Sequence, residues 1–221
     1  MAYSRGTSTN IIVGAAAIFV ADYKLTPTGT TAAPAFISSE SYKSTLSANP
    51  NFDNVGYTMN GLELTFTPDF GEVAVDQVLD VAKLYKQGMQ VTLATAFAEA
   101  TLENLLLATA GKSTALTGTK NTSAGRTLQI SAGDIGEVPL ERGIVAVGPG
   151  TGDGDKSDSV ERVYIGYRAL SIEAVTVSAK REEASMFEVS FRMLPDDSTA
   201  TYGKIVDRTW YDGSGTNYVG A

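Results

Sequence analysis

Alternating hydrophobic and polar positions recur along the chain, a pattern typical of β-strands with one buried face. The apolar run from Ile11 to Ala21 is too short to cross a bilayer and favours a buried N-terminal strand over a secretory signal. Further on, the arms 55–59 and 62–67 flank Asn60-Gly61. This dipeptide accepts positive φ at both central positions of a type I′ turn, so we expect a two-residue hairpin there.

The second arm is expected to end at Pro68-Asp69, and a short third strand follows around Val73 and Val75. A longer strand is predicted from Gly88 to Phe97. Its inward positions are Met89, Val91, Leu93 and Phe97. Later strands are predicted at Thr127–Ser131, Ile144–Val147, Val163–Ala169, Ile172–Ser178 and Met186–Leu194, with an edge strand over Tyr202–Trp210.

One helix is predicted, from about residue 100 to residue 110. Leu102, Leu105 and Leu106 fall on one side of it and are expected to pack against the sheet. Gly111 suits the position just after the last turn. A single helix among many strands indicates a mainly β fold.

The segment 24–54 is rich in Thr, Ser, Ala, Pro and Asn and predicts a long loop that reaches a partner or forms a surface excursion. A short C-terminal tail follows residue 210. Composition does not change along the chain, so residues 1–221 are expected to form one domain.

Composition removes most enzymatic chemistry, because the 221 residues include no histidine and no cysteine. Triads built on a histidine base and the usual zinc sites are therefore impossible. The 25 acidic residues allow a carboxylate-dependent glycosidase, but no pair stands out. Residues 153–158 begin like a calcium loop, yet Asp158 stands where that loop needs glycine. We expect no enzyme activity, cofactor or metal.

The formal net charge of −8 argues against a surface that holds DNA, since such surfaces concentrate Lys and Arg. Seven segments follow one another along the chain in an order that can be compared with a known family. They are Val55–Leu62, Thr67–Asp69, Val75–Gln77, Ala98–Leu105, Glu161–Ile165, Phe187–Asp196 and Gly203–Arg208. In this order, they resemble the major tail tube proteins of long-tailed bacteriophages.

The resemblance implies a β-sandwich-like or barrel-like tail-tube fold with one flanking helix. It also implies a structural virion protein whose hexameric rings stack into a hollow tube, through which DNA passes during ejection. The implied partners are further copies of the chain and other tail proteins, such as the tape measure, tail tip and terminator, with DNA only in transit and no membrane. Assembly would take place in the bacterial host cytoplasm, and the product would lie in the virion tail.

Within this interpretation, the acids Glu63, Glu72 and Asp76 are candidates to face the lumen, and the 24–54 loop to contact the adjacent ring. The alternative is a non-catalytic β-sandwich module that binds a carbohydrate or a partner protein, such as a virion decoration domain. Its site would include Trp210, although a lone tryptophan more often anchors a segment to the core.

Overall fold

The structure, a computed structural model, describes residues 12, 14–23, 33–77, 80–111, 113–120, 122–130, 135, 139–151, 160–178, 181 and 185–210. Within these ranges, the chain forms ten strands and two α-helices. In chain order they are β1 (Ala17–Asp22), α1 (Tyr42–Ser47), β2 (Asp53–Asn54), β3 (Thr58–Ala74), β4 (Val81–Phe97), α2 (Leu102–Ala108), β5 (Leu116–Gly118), β6 (Arg126–Leu128), β7 (Arg142–Pro149), β8 (Val160–Ser171), β9 (Phe187–Leu194) and β10 (Gly203–Thr209). The expected mainly β fold is confirmed.

The main sheet is antiparallel and has eight strands in the order β2-β1-β7-β8-β9-β4-β3, with β10 also paired to β8. β8 changes neighbours along its length, because residues 160–166 pair with β10 and residues 168–171 pair with β9. β2 and β3 lie at opposite ends of the strand order, yet only residues 55–57 separate them. Three residues reach about 10 Å when extended, so the sheet must curl towards a barrel.

Both faces of the β1–β7–β8 part of the sheet are buried. The inner face joins β4, β9 and α2 in one cluster, which includes Ile18, Val20, Leu93, Phe97, Ile144 and Phe191. The outer face contributes Phe19, Val145, Val163 and Ile165 to a second cluster. Tyr42, Leu46 and Phe52 cover that face. The buried apolar strand expected near the N-terminus is therefore confirmed over β1.

The prediction of a long loop over 24–54 is wrong where the described part of this segment forms α1 and β2. Ser41 caps α1 by accepting a hydrogen bond from the amide of Ser44 at 3.2 Å. Tyr42 and Leu46, one turn apart on this helix, are fully buried. Tyr42 and Leu46 therefore belong to the hydrophobic core, where they shield the apolar outer face of the sheet from water.

The hairpin predicted at Asn60-Gly61 is also wrong. The two residues have φ angles of 64° and 71°, as the dipeptide suggested, but they form a bulge inside the continuous strand β3. The hydroxyl of Thr95 donates to the carbonyl of Gly61 at 2.8 Å and fastens this bulge to β4. Pro68-Asp69 does not end the strand either, and the expected third strand is the continuation of β3.

Most later elements agree with the sequence. Val91, Leu93 and Phe97 are buried on β4, and all four inward positions of β9 are buried. β6, β7, β8 and the edge strand β10 also form where expected. The strand predicted at Ile172–Ser178 does not form, although the amide of Ile172 still donates to the carbonyl of Ser190.

α2 confirms the predicted helix, with Thr101 as its N-cap. Leu106 is buried, and Leu105 packs against the inner cluster. Leu102 is 36% exposed, while Asn104 is buried and its amide nitrogen donates to the carbonyl of Val55 at 2.9 Å. The expected packing is therefore confirmed for Leu105 and Leu106 and is wrong for Leu102.

Candidate assembly surface

β3 and β4 extend well beyond the rest of the sheet. β9 pairs with β4 only from Val91 to Phe97, whereas the pairing of β3 with β4 continues to Ala74 and Val81. Residues 66–77 and 80–90, here called the arm, thus include a two-stranded ribbon that pairs with no further strand of the described chain. An isolated two-stranded ribbon is only marginally stable in water.

One face of the arm is apolar. Phe66 lies opposite Val91, Pro68 opposite Met89, and Phe70 opposite Lys86. We call the set Phe66, Pro68, Phe70, Leu84 and Met89 the apolar stripe. Its three largest exposed members, Phe66, Phe70 and Leu84, are 50%, 54% and 60% exposed.

The stripe continues the inward-facing row of the sheet, since Leu64 and Leu93 in the same row pack in the inner cluster. The other face of the arm is more polar, with Thr67, Asp69, Lys83 and Gln90, and it also exposes Val73 and Tyr85. The arm therefore has the pattern of a half-buried ribbon whose cover does not come from the described chain.

Both edges of the ribbon are poorly suited to pairing with another strand. On the β3 edge, Pro68 has no amide hydrogen to donate. The β4 edge is also unpaired before Val91, and the register shifts after Asp69 and after Val73 each place an extra residue on β4. Proline and bulges are devices that block edge-to-edge association. A partner would therefore bind the arm through the side chains of the stripe.

The three acids proposed for a lumen do not share one face. Glu63 and Glu72 are nine residues apart on β3 with no extra β3 residue between them, so they point to opposite faces of the ribbon. Glu63 belongs to the polar face, whereas Glu72 extends the row that carries the stripe. Asp76 lies in the turn at the tip of the arm.

A small recess lies at the opposite end of β3. It has a volume of about 330 Å³, and its walls include Ala15, Ala16 and Ala17 from the approach to β1 and its first residue. Tyr57, which is 80% exposed, borders it. Lys43 and Glu99 place one positive and one negative side chain at its wall, and Glu99 also accepts a hydrogen bond from the amide of Tyr57 at 2.9 Å.

A larger cleft of about 610 Å³ is bordered by β1, α2, β6 and the start of β7. Its two arginines are used internally, because Arg142 pairs with Asp22 and Arg126 with Glu103. Burial lowers the pKa of Arg142, whose guanidinium also donates to the carbonyl of Gly111 at 3.2 Å. These contacts join β7, β1 and the end of α2, a structural role.

The sequence also raised a metal site and a site at Trp210. Among the described residues, no group of three or more His, Cys, Asp or Glu side chains is placed to hold a metal ion. The calcium-like residues 153–158 and the tail 211–221 lie outside the described residues. Trp210 is half-buried.

No family model matches the chain, and no curated protein is detectably similar to it. Within the described ranges, none of the helices is long and apolar enough to cross a membrane.

Sequence reasoning missed the apolar stripe because it ended the strand at Pro68. The signal was present, since Phe66, Pro68 and Phe70 keep the alternation through the proline without interruption. A proline that is tolerated in the middle of such a pattern indicates an edge strand.

Proposed function

We propose that this protein is a structural subunit of a phage tail tube, which self-assembles into stacked hexameric rings that conduct DNA during ejection. The observation that carries the proposal is the uncovered arm. Its stripe exposes two phenylalanines and a leucine on one face of the ribbon. An exposed apolar face of this kind is typical of an interaction surface.

A second copy of the chain is the simplest cover for the stripe. Burying a large apolar side chain completely contributes about 1.5–3 kcal/mol, so the half-exposed Phe66, Phe70 and Leu84 would each contribute roughly 1 kcal/mol. This is weak for a single pair of subunits. A ring multiplies the contact and gains from the high effective concentration of neighbouring sites.

The mainly β barrel-like fold and the order of tail-tube-like segments support the same proposal. The net charge of −8 suits a conduit that must not hold DNA. Asp69 on the polar face of the arm, and Glu63 on the same face just before the arm, are the acids best placed to face a lumen if the stripe is buried between subunits.

Negative-stain electron microscopy of the purified protein at rising concentration tests the proposal. We expect uniform rings that give way to hollow tubes, with a matching shift from monomer to large species in sedimentation velocity. A protein that stays monomeric at every concentration, and that binds a glycan or virion protein with loss on Trp210→Ala, would instead support the binding-module alternative.

A further inference from the structure

We propose that the apolar stripe of one subunit docks into the recess at the opposite end of β3 in the next subunit. The inference rests on the proposed function and names the two surfaces that meet. The stripe lies on β3 and β4, from the middle of β3 onwards. The recess lies beside the start of β3, and most of its wall comes from outside that strand.

The geometry gives the contact a direction. Phe66 and Phe70 lie eight and twelve residues after Thr58, which borders the recess, so at about 3.3 Å per residue the two surfaces are roughly 25–40 Å apart. A contact between two different surfaces of one subunit is heterologous, so each copy uses its arm on one neighbour and offers its recess to another. Such a contact does not stop at a dimer, because it generates a closed ring or an open filament.

The recess suits an aromatic side chain because its wall is lined by three alanines and Gly56. These residues leave space where larger side chains would fill it. Tyr57 stands exposed at the same place and offers an aromatic surface to the incoming phenylalanines. Gly56 itself must remain glycine, because it has a φ of 82° and a Cβ there would collide with the carboxylate of Glu99.

The charges beside the stripe and the recess are complementary, which favours a second copy of this chain as the partner that binds in the recess. The stripe face carries one acid, Glu72, and one base, Lys86, while the recess has one base, Lys43, and one acid, Glu99. Neither Glu72 nor Lys43 forms an ion pair with another described residue. Docking can therefore pair Glu72 with Lys43 and Lys86 with Glu99 between subunits.

The absence of cysteine makes a crosslinking test specific. Two single variants, Glu72→Cys and Lys43→Cys, are mixed under assembly conditions and treated with a short bis-maleimide. We expect a covalent dimer that contains one copy of each variant. The control is Val73→Cys mixed with Lys43→Cys, since Val73 is exposed on the opposite face of the ribbon, and this pair should give at least tenfold less dimer.

Charge reversal provides the second measurement. Glu72→Lys and Lys43→Glu should each reduce assembly at low salt at least tenfold, and a chain with both changes should recover most of it. Recovery is the decisive result, because an effect on folding alone would make the double variant worse than either single one. Assembly unchanged in both single variants would overturn the docking assignment.

The outcomes separate the two proposals. If wild-type tubes form but the 72–43 pair gives no more dimer than the 73–43 control, the docking assignment is wrong and the proposed function stands. If the wild-type protein forms no tubes and the mixed cysteine variants form no crosslinked dimer, both are wrong. Crosslinked chains without rings or tubes would support the contact and contradict the tube.

Discussion

Arg208 on β10 and Glu161 on β8 form a buried ion pair, with 3.3 Å between Nη1 and a carboxylate oxygen and side chains only 9% and 8% exposed. The same carboxylate accepts a hydrogen bond from the amide of Tyr42 at 2.7 Å. Arg208 also donates to the carbonyl of Glu40 at 3.1 Å and lies over the ring of Phe36. One pair of charges thus fixes both the edge strand β10 and the segment that leads into α1.

Arg208→Met is expected to destabilise the protein by about 3–5 kcal/mol at pH 7, because it leaves the Glu161 carboxylate buried without its cation. Burial already raises the pKa of Glu161, against the opposing effects of the Tyr42 amide and Arg208. Without Arg208, this pKa rises further, and the penalty is present only where the carboxylate is ionised. The loss should therefore shrink as the pH falls to about 4.

Urea unfolding at pH 7 and pH 4 measures this difference, and the double variant Arg208→Met, Glu161→Gln is the control. It should regain part of the stability at pH 7, since no buried charge remains. A loss of equal size at both pH values would show that packing, and not the unpaired carboxylate, dominates.

Asp196 is expected to support stability above its ordinary titration range. Its pKa is held well below the usual value by the hydroxyl of Ser198, by Tyr23, which donates at 2.9 Å, and by Thr199. A depressed folded-state pKa contributes stability that is present above about pH 4 and is lost as the pH falls through the folded value. Asp196→Asn should lower the thermal midpoint at pH 7, and its difference from wild type should narrow in acid. A constant difference from pH 7 to pH 2 would contradict this assignment.

The hydroxyl of Tyr42 is expected to ionise at a higher pH than an exposed tyrosine does. Burial raises its pKa to about 12, although Arg208 opposes the shift. An unfolded tyrosine ionises near pH 10, so the contribution of Tyr42 is complete below about pH 10 and is lost as the pH rises to about 12. Its hydroxyl donates to the carbonyl of Pro34 at 2.8 Å, so Tyr42→Phe should cost about 1 kcal/mol at pH 7 and weaken the alkaline loss. Thermal melts between pH 7 and pH 11.5 measure both effects, and an unchanged alkaline limb would contradict the second.

Gly61→Ala is expected to cost about 1 kcal/mol through backbone strain alone. Gly61 has a φ of 71°, which disfavours alanine, although a Cβ there would meet no atom within 4 Å. Asn60→Gly is the matched control, because the neighbouring φ of 64° suits glycine at least as well, and it should change stability by less than about 0.5 kcal/mol. Equal effects of the two changes in urea unfolding would argue against the bulge.

The stripe should be dispensable for folding and required for assembly. The triple variant Phe66→Ser, Phe70→Ser, Leu84→Ser should keep a cooperative melt with a lowered midpoint, because each side chain is already about half-buried and its loss costs about 1 kcal/mol. The same variant should form no tubes in negative stain. The control Thr65→Ser, Thr67→Ser changes only the polar face and should assemble normally. Tubes from the triple variant would remove the stripe from the interface.

Several features of this protein follow from its sequence alone. Alternation along the second half of β4 and along β9 fixes which side chains point inward, because the side-chain period of a strand is two whatever surrounds it. The helix α2 is similarly local, with a cap at Thr101 and leucines at helical spacing. The lack of histidine and cysteine limits the available chemistry before any fold is known.

The tertiary structure decided what local patterns leave open. Asn60-Gly61 accepts positive φ in a tight turn and in a bulge, and only pairing with β4 selects the bulge. The segment 24–54 is mainly polar, so its sequence does not predict that Tyr42, Leu46 and Phe52 are buried. Their burial depends on an apolar sheet face to which residues about 100 positions further along the chain contribute. The apolar stripe is likewise recognisable only once β9 is seen to end beside Val91, because exposure depends on which neighbours are present.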